Sequence, residues 1–439
     1  MNKLKSLCAL VVCMTMLGIA FTSCRKEADD VIDPTIINAA EKPSTQFDTF
    51  WQIIDRGYVF FADDPTDWDE VYDRMYPKFE ALDSRDSIPT AELFALYKQA
   101  VETLIDHHMT ITIVNKWAPT SEKIAANGFP QFKLIPGLYE IMKRDYYYPS
   151  MTPDSLITYY DYVFRKMQFD GLMEGRMSGA ISRGEGQGYA FFTSAILDED
   201  IAYLHFTDFM LNQIGVTPDY YEPYIWNKFD EQLLLDRPCD VLDAFYDDIC
   251  SPDIKGIVID LRHNNGGDVS DLYTLVGALT TDRFVATYTR HKQGLGRLDL
   301  SEWMPLEIPC NTSIQARRDV PVAVLVNLYS ISMGEMTPMA LRARPNGRCA
   351  IIGERTYGGN GPLMGNMAPI LTYGTPSSSR DKSVECYTST FQLADANHNM
   401  LEGKGVTPDI WVGSNLKEAL KGKDPQIIAA INYINNNQR

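Results

Sequence analysis

The chain has 439 residues, of which 45% are hydrophobic and 22% are charged. This composition is typical of a folded globular protein with two or three domains and excludes a largely disordered one. The formal net charge of −18 argues against nucleic acid as a partner, because binding to phosphates requires clustered Lys and Arg.

The N-terminal segment has the pattern of an export signal. Two lysines precede an apolar run from Leu7 to Phe21, and Cys24 follows shortly after. This pattern predicts a secretory signal peptide over residues 1–23. It resembles a bacterial lipoprotein signal, which implies a lipidated Cys24, a polar tether over residues 24–45, and a membrane-anchored protein of the cell envelope, in the periplasm or at the cell surface. Simple secretion is the alternative.

Five cysteines remain downstream of Cys24, and five is an odd number, so at least one thiol stays free or pairs between chains. They are Cys239, Cys250, Cys310, Cys349 and Cys386. The chain has no Cys-x-x-Cys pair, and no His, Asp and Glu residues have metal-ligand spacing. We therefore expect neither a metal nor a cofactor.

Residues 46–115 are predicted to form an N-terminal helical domain, because their apolar side chains recur with helical spacing. The intervals are seen among Phe47, Phe50, Trp51 and Ile54, among Val71, Met75 and Phe79, and among Leu93, Leu96, Tyr97, Val101 and Leu104. Residues 116–200 form an intervening module of uncertain fold. Within it, Thr152-Pro153-Asp154 begins a possible helix that runs to Phe164.

Residues 201–439 are predicted to form an α/β domain with a parallel sheet, because apolar strand-like runs alternate with helical patterns. The predicted strands are Tyr203–Phe206, Gly256–Leu261, Pro321–Asn327 and Cys349–Gly353. The predicted helices are Val241–Ile249, Asp271–Leu279 and Gly334–Ala343.

Two loops of this domain carry the candidate chemistry. The strand from Gly256 ends in a polar loop with adjacent Gly266 and Gly267, which let backbone N–H groups approach a ligand closely. Ser332 lies where the next strand gives way to a helix, a position that exposes a hydroxyl beside unpaired N–H groups. Ser332-x-x-Glu335 is also a helix capping box, so a purely structural role remains open.

Three motifs taken together resemble the tail-specific (C-terminal-processing) serine protease family. They are Asp260-Leu-Arg-His-Asn-Asn-Gly-Gly267, Ser332-Met-Gly-Glu335 and Gly353-Glu-Arg-Thr-Tyr-Gly-Gly359. The resemblance covers roughly residues 200–412. It implies a crotonase/ClpP-like ββα catalytic core and a serine peptidase. Many members carry a PDZ domain with a Gly-Leu-Gly-Phe-like loop, and residues 115–200 contain no such sequence.

The resemblance also implies which residues carry the reaction. The Ser–Lys design of the family would need Lys where Gly359 stands, so the chain is similar instead to the tricorn-like Ser-His-Glu branch. In that branch the upstream Asp-x-His context fits Leu104-Ile-Asp-His-His-Met109, which makes His108 the base, with His107 as the fallback. The carboxylate that precedes Gly-Val-x-Pro-Asp is Glu402.

A serine hydroxyl needs a base to become a nucleophile, histidine suits that task near neutral pH, and a carboxylate can fix the histidine tautomer. Ser332, His108 and Glu402 meet these needs. The N–H of Met333, with that of Gly266 or Gly267, would form an oxyanion hole. This pattern predicts a serine endopeptidase that cleaves peptides or unfolded protein segments through an acyl-enzyme.

Two other functions remain open. One is a catalytically inactive lipoprotein of the same fold that binds peptides or proteins. The other is a glycan-binding lipoprotein with stacking tyrosines at 146–148 and 220–221. The sequence does not determine the oligomeric state.

Overall fold

The computed structural model describes residues 41–137, 173–182, 189–216, 225–228, 231–234, 236–294, 296–345, 347–362, 377–378, 382–419 and 421–438. The predicted signal peptide, Cys24, most of the tether, the helix predicted from Thr152 and both tyrosine clusters lie outside these residues. The tether prediction ran to residue 45, whereas the first described helix already begins at Pro43.

Three helices form the N-terminal core, and their bounds are α1 (Pro43–Gly57), α2 (Trp68–Glu80) and α3 (Thr90–Val101). Aromatic side chains on the predicted apolar faces pack between them. Phe47 of α1 and Phe79 of α2 stack with ring centroids 4.4 Å apart. The Asp67 carboxylate caps α2 by accepting the N–H groups of Asp69 and Glu70. The helical periodicity of this region is thus explained by a shared core.

This N-terminal unit is not purely helical, in contrast to the prediction for residues 46–115. It includes β1 (Thr110–Val114), α4 (Thr120–Ala125) and β2 (Gln131–Leu134). A late segment of the chain returns to it as β13 (Ser377–Ser378) and β14 (Val384–Tyr387), in a sheet of order β13-β14-β1-β2. β14 and β1 are antiparallel, with Ile111 opposite Cys386. The N-terminal unit and the α/β region therefore share a sheet.

A seven-stranded mixed sheet lies at the centre of the α/β region, in the order β16-β12-β11-β8-β5-β4-β3. Its strands are β3 (Met173–Ser182), β4 (Tyr189–Leu197), β5 (Ile201–Phe206), β8 (Gly256–Asp260), β11 (Val322–Val326), β12 (Cys349–Gly353) and β16 (Ile410–Trp411). The strands β5, β8, β11, β12 and β16 run parallel, and β3 and β4 are antiparallel.

The parallel part of this sheet agrees with the prediction from sequence, and the antiparallel edge does not follow from it. β3 and β4 also lie upstream of residue 201, so the sheet crosses the predicted boundary of the catalytic domain. The other described strands form a three-stranded sheet, of order β10-β9-β15, and a two-stranded sheet, β6-β7. These strands are β6 (Ile225–Lys228), β7 (Glu231–Leu234), β9 (Phe284–His291), β10 (Met304–Ile308) and β15 (Phe391–Asp395).

Helices cover both faces of the central sheet, which explains why its inner strands are mostly apolar. The helices are α5 (Leu211–Val216), α6 (Pro238–Cys250), α7 (Asp271–Ala278), α8 (Met333–Ala343), α9 (Leu416–Ala419) and α10 (Pro425–Asn436). In β8, Ile257 and Ile259 pack in the core formed with α6, α7 and α8, whereas Val258 faces α10. Because β8 and β11 are parallel neighbours, their C-terminal ends lie at the same edge of the sheet. The candidate residues follow these two strand ends.

Within the residues that the structure describes, no helix is both long and apolar enough to cross a membrane. The same residues contain no group of three or more His, Cys, Asp or Glu placed to hold a metal ion. The five cysteines named above are all free thiols.

Candidate active site

Ser332 lies at the junction between β11 and α8, directly before the first residue of the helix. Its backbone has φ 58° and ψ −116°, a conformation that non-glycine residues rarely adopt and that is often found at functional sites. Its side chain makes no capping hydrogen bond, so the capping-box alternative is not what the structure contains. Ser332 is partly exposed, and its hydroxyl does not cap the helix.

The Gly-Gly loop after β8 packs against this serine. A Cβ atom on Gly266 would lie 2.5 Å from the Cβ and 2.9 Å from the Oγ of Ser332, and Gly266 has φ 91°. Only glycine fits here, because both the space and the backbone conformation exclude a side chain. The two loops that the sequence singled out are therefore in direct contact.

The candidate oxyanion donors differ in their hydrogen bonding. The N–H of Gly266 donates to the Asn264 side chain at 2.9 Å. The N–H groups of Gly267 and Met333 have no hydrogen-bond partner among the described residues. Met333 is the first residue of α8, where N–H groups lack intrahelical partners. Of the two glycines left open by the sequence, Gly267 therefore has the available N–H.

Both candidate histidines bind a loop that follows β12, which we call the glycine loop and define as Thr356–Gly361. The Nδ1 of His107 lies 3.1 Å from the carbonyl oxygen of Tyr357, and the Nδ1 of His108 lies 2.6 Å from that of Gly361. A carbonyl can only accept, so each Nδ1 donates and each Nε2 is left as the proton acceptor. The rings of both histidines are thus oriented by main-chain carbonyls.

The glycine loop also binds the serine. The N–H of Ser332 donates to the carbonyl of Gly359 at 2.9 Å. Gly359 and Gly361, which bind Ser332 and His108 respectively, are separated by one residue. The structure therefore brings the predicted nucleophile and the predicted base to the same short loop, although their sequence positions are more than 220 residues apart.

Glu402 is buried beneath this loop, and its contacts differ from the predicted contact with a histidine ring. Its Oε1 accepts the N–H of His107 at 3.0 Å, and its Oε2 accepts those of Asn360 at 2.9 Å and Gly361 at 2.7 Å. Every hydrogen bond that the structure gives this carboxylate is to the main chain. Glu402 thus fixes the backbone of His107 and of the glycine loop rather than an imidazole ring.

A second buried carboxylate, Glu335, holds the other end of the loop. Its Oε1 accepts the Thr356 hydroxyl at 2.5 Å and the Gly358 N–H at 2.8 Å, while its Oε2 has no partner within the described residues. The sequence had suggested only a capping role for Glu335. Its actual role depends on contacts with a loop that is more than 20 residues away.

The electrostatics of the site follow from its burial. Desolvation lowers the pKa of His108, opposed by the nearby Asp106 and by the hydrogen bond to Gly361, so the imidazole is neutral at neutral pH. Desolvation raises the pKa of Glu402 well above its usual value, and the charges of Asp106 and Glu335 add to that rise. Burial raises the pKa of Glu335 to about 7, despite hydrogen bonds that favour its charge.

The strand end that carries the Gly-Gly loop is fixed by a buried ionic network. Arg262 contacts Asp260 at 2.6 Å and Asp424 at 2.7 Å, and it donates to Gln426 at 2.9 Å. Burial alone would raise the pKa of Asp260, but the Arg262 guanidinium lowers it below its usual range. This network ties the start of the loop to the start of α10.

Comparisons with known proteins support the assignment of the sequence motifs. The family model "Peptidase family S41" matches residues 200–412. A carboxy-terminal-processing protease of Bartonella bacilliformis is 28% identical over 172 residues, which are 39% of this chain and 34% of that protein. Residues 200–412 belong to peptidase family S41. The chain spans about a third of the length of the curated relative it matches.

Solved structures agree with the S41 fold. A Parabacteroides merdae protein with a provisional peptidase designation is 21% identical, with a TM-score of 0.59 over 90% of this chain and 97% of that one. Mature CPAF in complex with lactacystin is 13% identical, with a TM-score of 0.51 over 90% of this chain and 99% of that one. The predicted α/β fold of this family is therefore confirmed.

The S41 region contains Ser332, Glu402 and the two glycines, but His107 and His108 lie upstream of it, in the N-terminal unit. Asp106 holds that histidine segment in place: its carboxylate accepts the His108 N–H at 2.9 Å and the Ser389 N–H at 2.8 Å. The sequence did not reveal the roles of Gly359, Gly361 and Glu335. The only signal in the sequence was the glycine-rich run after Thr356.

Proposed function

We propose that this chain is a serine endopeptidase in which Ser332 is the nucleophile and His108 the general base. Glu402 fixes the loop that orients His108, and the N–H groups of Met333 and Gly267 form the oxyanion hole. The observation that carries the proposal is the glycine loop, whose Gly359 binds the serine backbone and whose Gly361 binds the histidine ring.

The reaction follows from these roles. His108 Nε2 takes the hydroxyl proton as Ser332 Oγ bonds to the scissile carbonyl carbon, and the carbonyl oxygen becomes an oxyanion. The same proton passes to the leaving nitrogen as the C–N bond breaks, which leaves an acyl-enzyme. Water then gives a proton to His108 Nε2 as its oxygen attacks the ester carbon. The bond from this carbon to Ser332 Oγ breaks, and His108 returns the proton to Oγ, which releases the carboxylic acid and restores the serine hydroxyl.

The substrate class is a peptide or an unfolded segment of protein, because residues 200–412 match a family of peptidases and an extended chain can pair with the edge of a sheet. The lipoprotein-like pattern at Cys24 supports a lipid anchor, and with it a place in the bacterial cell envelope, in the periplasm or at the cell surface. Both statements rest on sequence pattern and family membership.

A fluorophosphonate probe tests the nucleophile directly, since it forms a covalent bond only with an activated serine. The purified protein should be labelled once per chain, and Ser332→Ala should abolish labelling while the melting temperature stays within a few degrees of wild type. Hydrolysis of an unfolded protein substrate should be lost in parallel.

The competing function is an inactive protein of the same fold that binds peptides. It would be supported if the wild type bound an unfolded protein but showed neither labelling nor hydrolysis. Labelling that persists in Ser332→Ala would assign the nucleophile to another residue and overturn the proposed triad.

A further inference from the structure

Asn360 lies in the glycine loop, and its side-chain amide is buried without hydrogen bonds. The residue is 3% exposed, and neither its Nδ2 nor its Oδ1 has a partner within the part of the chain that the structure describes. Its backbone is well held, because its N–H donates to Glu402 at 2.9 Å. The lack of partners therefore concerns the side chain alone.

Such a side chain is costly for a folded protein. A buried donor or acceptor without a partner loses its hydration and gains nothing in return. Buried polar groups are almost always paired, and the exceptions require a specific explanation such as a functional role. A leucine would fill the same space without this penalty, so stability does not account for the amide.

The position of Asn360 indicates what the amide could serve. It stands between Gly359, whose carbonyl accepts the Ser332 N–H, and Gly361, whose carbonyl accepts the His108 ring. Asn360 therefore lies one residue from each of the two backbone carbonyls that hold Ser332 and His108. The amide offers an NH₂ group that donates and a carbonyl oxygen that accepts, and a peptide main chain presents the complementary pair in its C=O and N–H groups.

We propose that the side-chain amide of Asn360 binds the main chain of the peptide substrate, donating from Nδ2 to a carbonyl and accepting an N–H at Oδ1. This inference rests on the proposed endopeptidase function and adds a substrate-binding residue to it. The amide is covered in the substrate-free protein, so it reaches the peptide through a change of side-chain rotamer. Such changes are common on binding and leave the backbone held by Glu402.

The chain offers a matched control in Asn115, a second fully buried asparagine that lies in the N-terminal unit. Its Nδ2 donates to Ile88 at 2.9 Å and to Thr90 at 3.0 Å, and its Oδ1 accepts the Trp117 N–H at 3.0 Å. The two residues have equal chemistry and similar burial, but only Asn115 is paired. The same substitution should therefore have opposite effects on stability at the two positions.

The experiment compares Asn360→Leu and Asn360→Ala with Asn115→Leu and Asn115→Ala. Asn360→Leu should raise the melting temperature by about 2–4 °C, and both substitutions at 115 should lower it. Both Asn360 variants should lose roughly 10- to 100-fold in kcat/KM for peptide hydrolysis, mainly through a higher KM. The rate of fluorophosphonate labelling should stay near wild type, because the small probe has no peptide main chain.

Three results would overturn the inference. Asn360 variants with unchanged kcat and KM would show that the amide does not touch the substrate. A lower melting temperature in Asn360→Leu would show that the amide is paired, for instance by an internal water. A parallel loss of labelling would show that the loop itself is disturbed. If the wild type neither labels nor hydrolyses, the endopeptidase proposal fails first.

Discussion

Glu402 and His108 are joined through a single residue, Gly361. The Glu402 carboxylate accepts the N–H of Gly361 at 2.7 Å, and the carbonyl of Gly361 accepts the Nδ1–H of His108 at 2.6 Å. The backbone of one glycine residue thus lies where a direct carboxylate–imidazole contact was expected. The carbonyl of Gly361 can still fix the tautomer of His108, but the Glu402 carboxylate does not contact the imidazole ring.

The first prediction separates the two adjacent histidines. Ser332→Ala and His108→Ala should each reduce kcat by roughly 1,000-fold or more, because each removes a partner of the proton transfer. The double variant should be no worse than either single one, because the two residues act as a unit. His107→Ala should keep most activity. Steady-state kinetics decide the assignment: full turnover by His108→Ala with loss in His107→Ala would shift the base by one residue.

The second prediction concerns the pH dependence of the reaction. The neutral form of His108 is the base, so activity should fall as the pH decreases through the pKa of that histidine. Burial lowers that pKa below 6.5, and therefore the acidic limb of kcat/KM should have its midpoint below pH 6.5. A pH profile with a slowly cleaved peptide measures it. A midpoint above 7 would show that the imidazole is stabilised in its charged form.

The sequence predicted the regular elements near the serine well, because buried strands and amphipathic helices have strong local patterns. The strand Cys349–Gly353 has the predicted bounds, and the helix predicted from Gly334 begins one residue earlier, at Met333. The antiparallel strand β3 was missed because charged residues, Gly and Ser interrupt the apolar pattern of Met173–Ser182, and its neighbour β4 was missed as well. The return of β14 to β1 is a pairing over more than 270 residues that no local pattern encodes.

For the candidate site, too, the sequence predicted some features and not others. Motif resemblance led to the prediction of Ser332, His108, Glu402 and the Gly-Gly loop, and in the structure the first three contact the glycine loop. The contacts of Glu402 could not be predicted, since they are with backbone N–H groups, which every residue except proline carries. Their orientation depends on how the glycine loop folds, and the sequence gives only its glycine content.

The third prediction contrasts the two buried glutamates. Both oxygens of Glu402 accept N–H groups, so the NH₂ group of Glu402→Gln must face a donor and displace the loop. Glu335 uses only Oε1, so Glu335→Gln can place its NH₂ group at the unpartnered Oε2 position. We expect Glu402→Gln to lose more than about tenfold in kcat but to keep a measurable remainder, and Glu335→Gln to stay within about threefold of wild type. Equal losses in both variants would contradict this model.

The fourth prediction uses the pKa of Glu335, which is about 7 in the folded protein against 4.5 for a free side chain. The folded state therefore binds more protons between pH 4.5 and 7, so this residue costs stability as the pH rises through that window. Glu335→Gln removes the cost. Its stability relative to wild type should increase from pH 5 to pH 8, by at most about 3 kcal/mol. Denaturant unfolding at both pH values measures the difference, and a constant difference would mean that Glu335 is charged throughout.

The fifth prediction tests the contact between the Gly-Gly loop and the serine. A Cβ at Gly266 would come within 2.9 Å of the Ser332 hydroxyl oxygen, and the φ of 91° disfavours any side chain. Gly266→Ala should therefore displace the Ser332 hydroxyl and reduce fluorophosphonate labelling by roughly 100-fold or more. The control is Gly215→Ala, where a Cβ would meet nothing within 4 Å and φ is not positive. It should label at the wild-type rate. Normal labelling in a folded Gly266→Ala protein would show that the loop and the serine are farther apart than the structure places them.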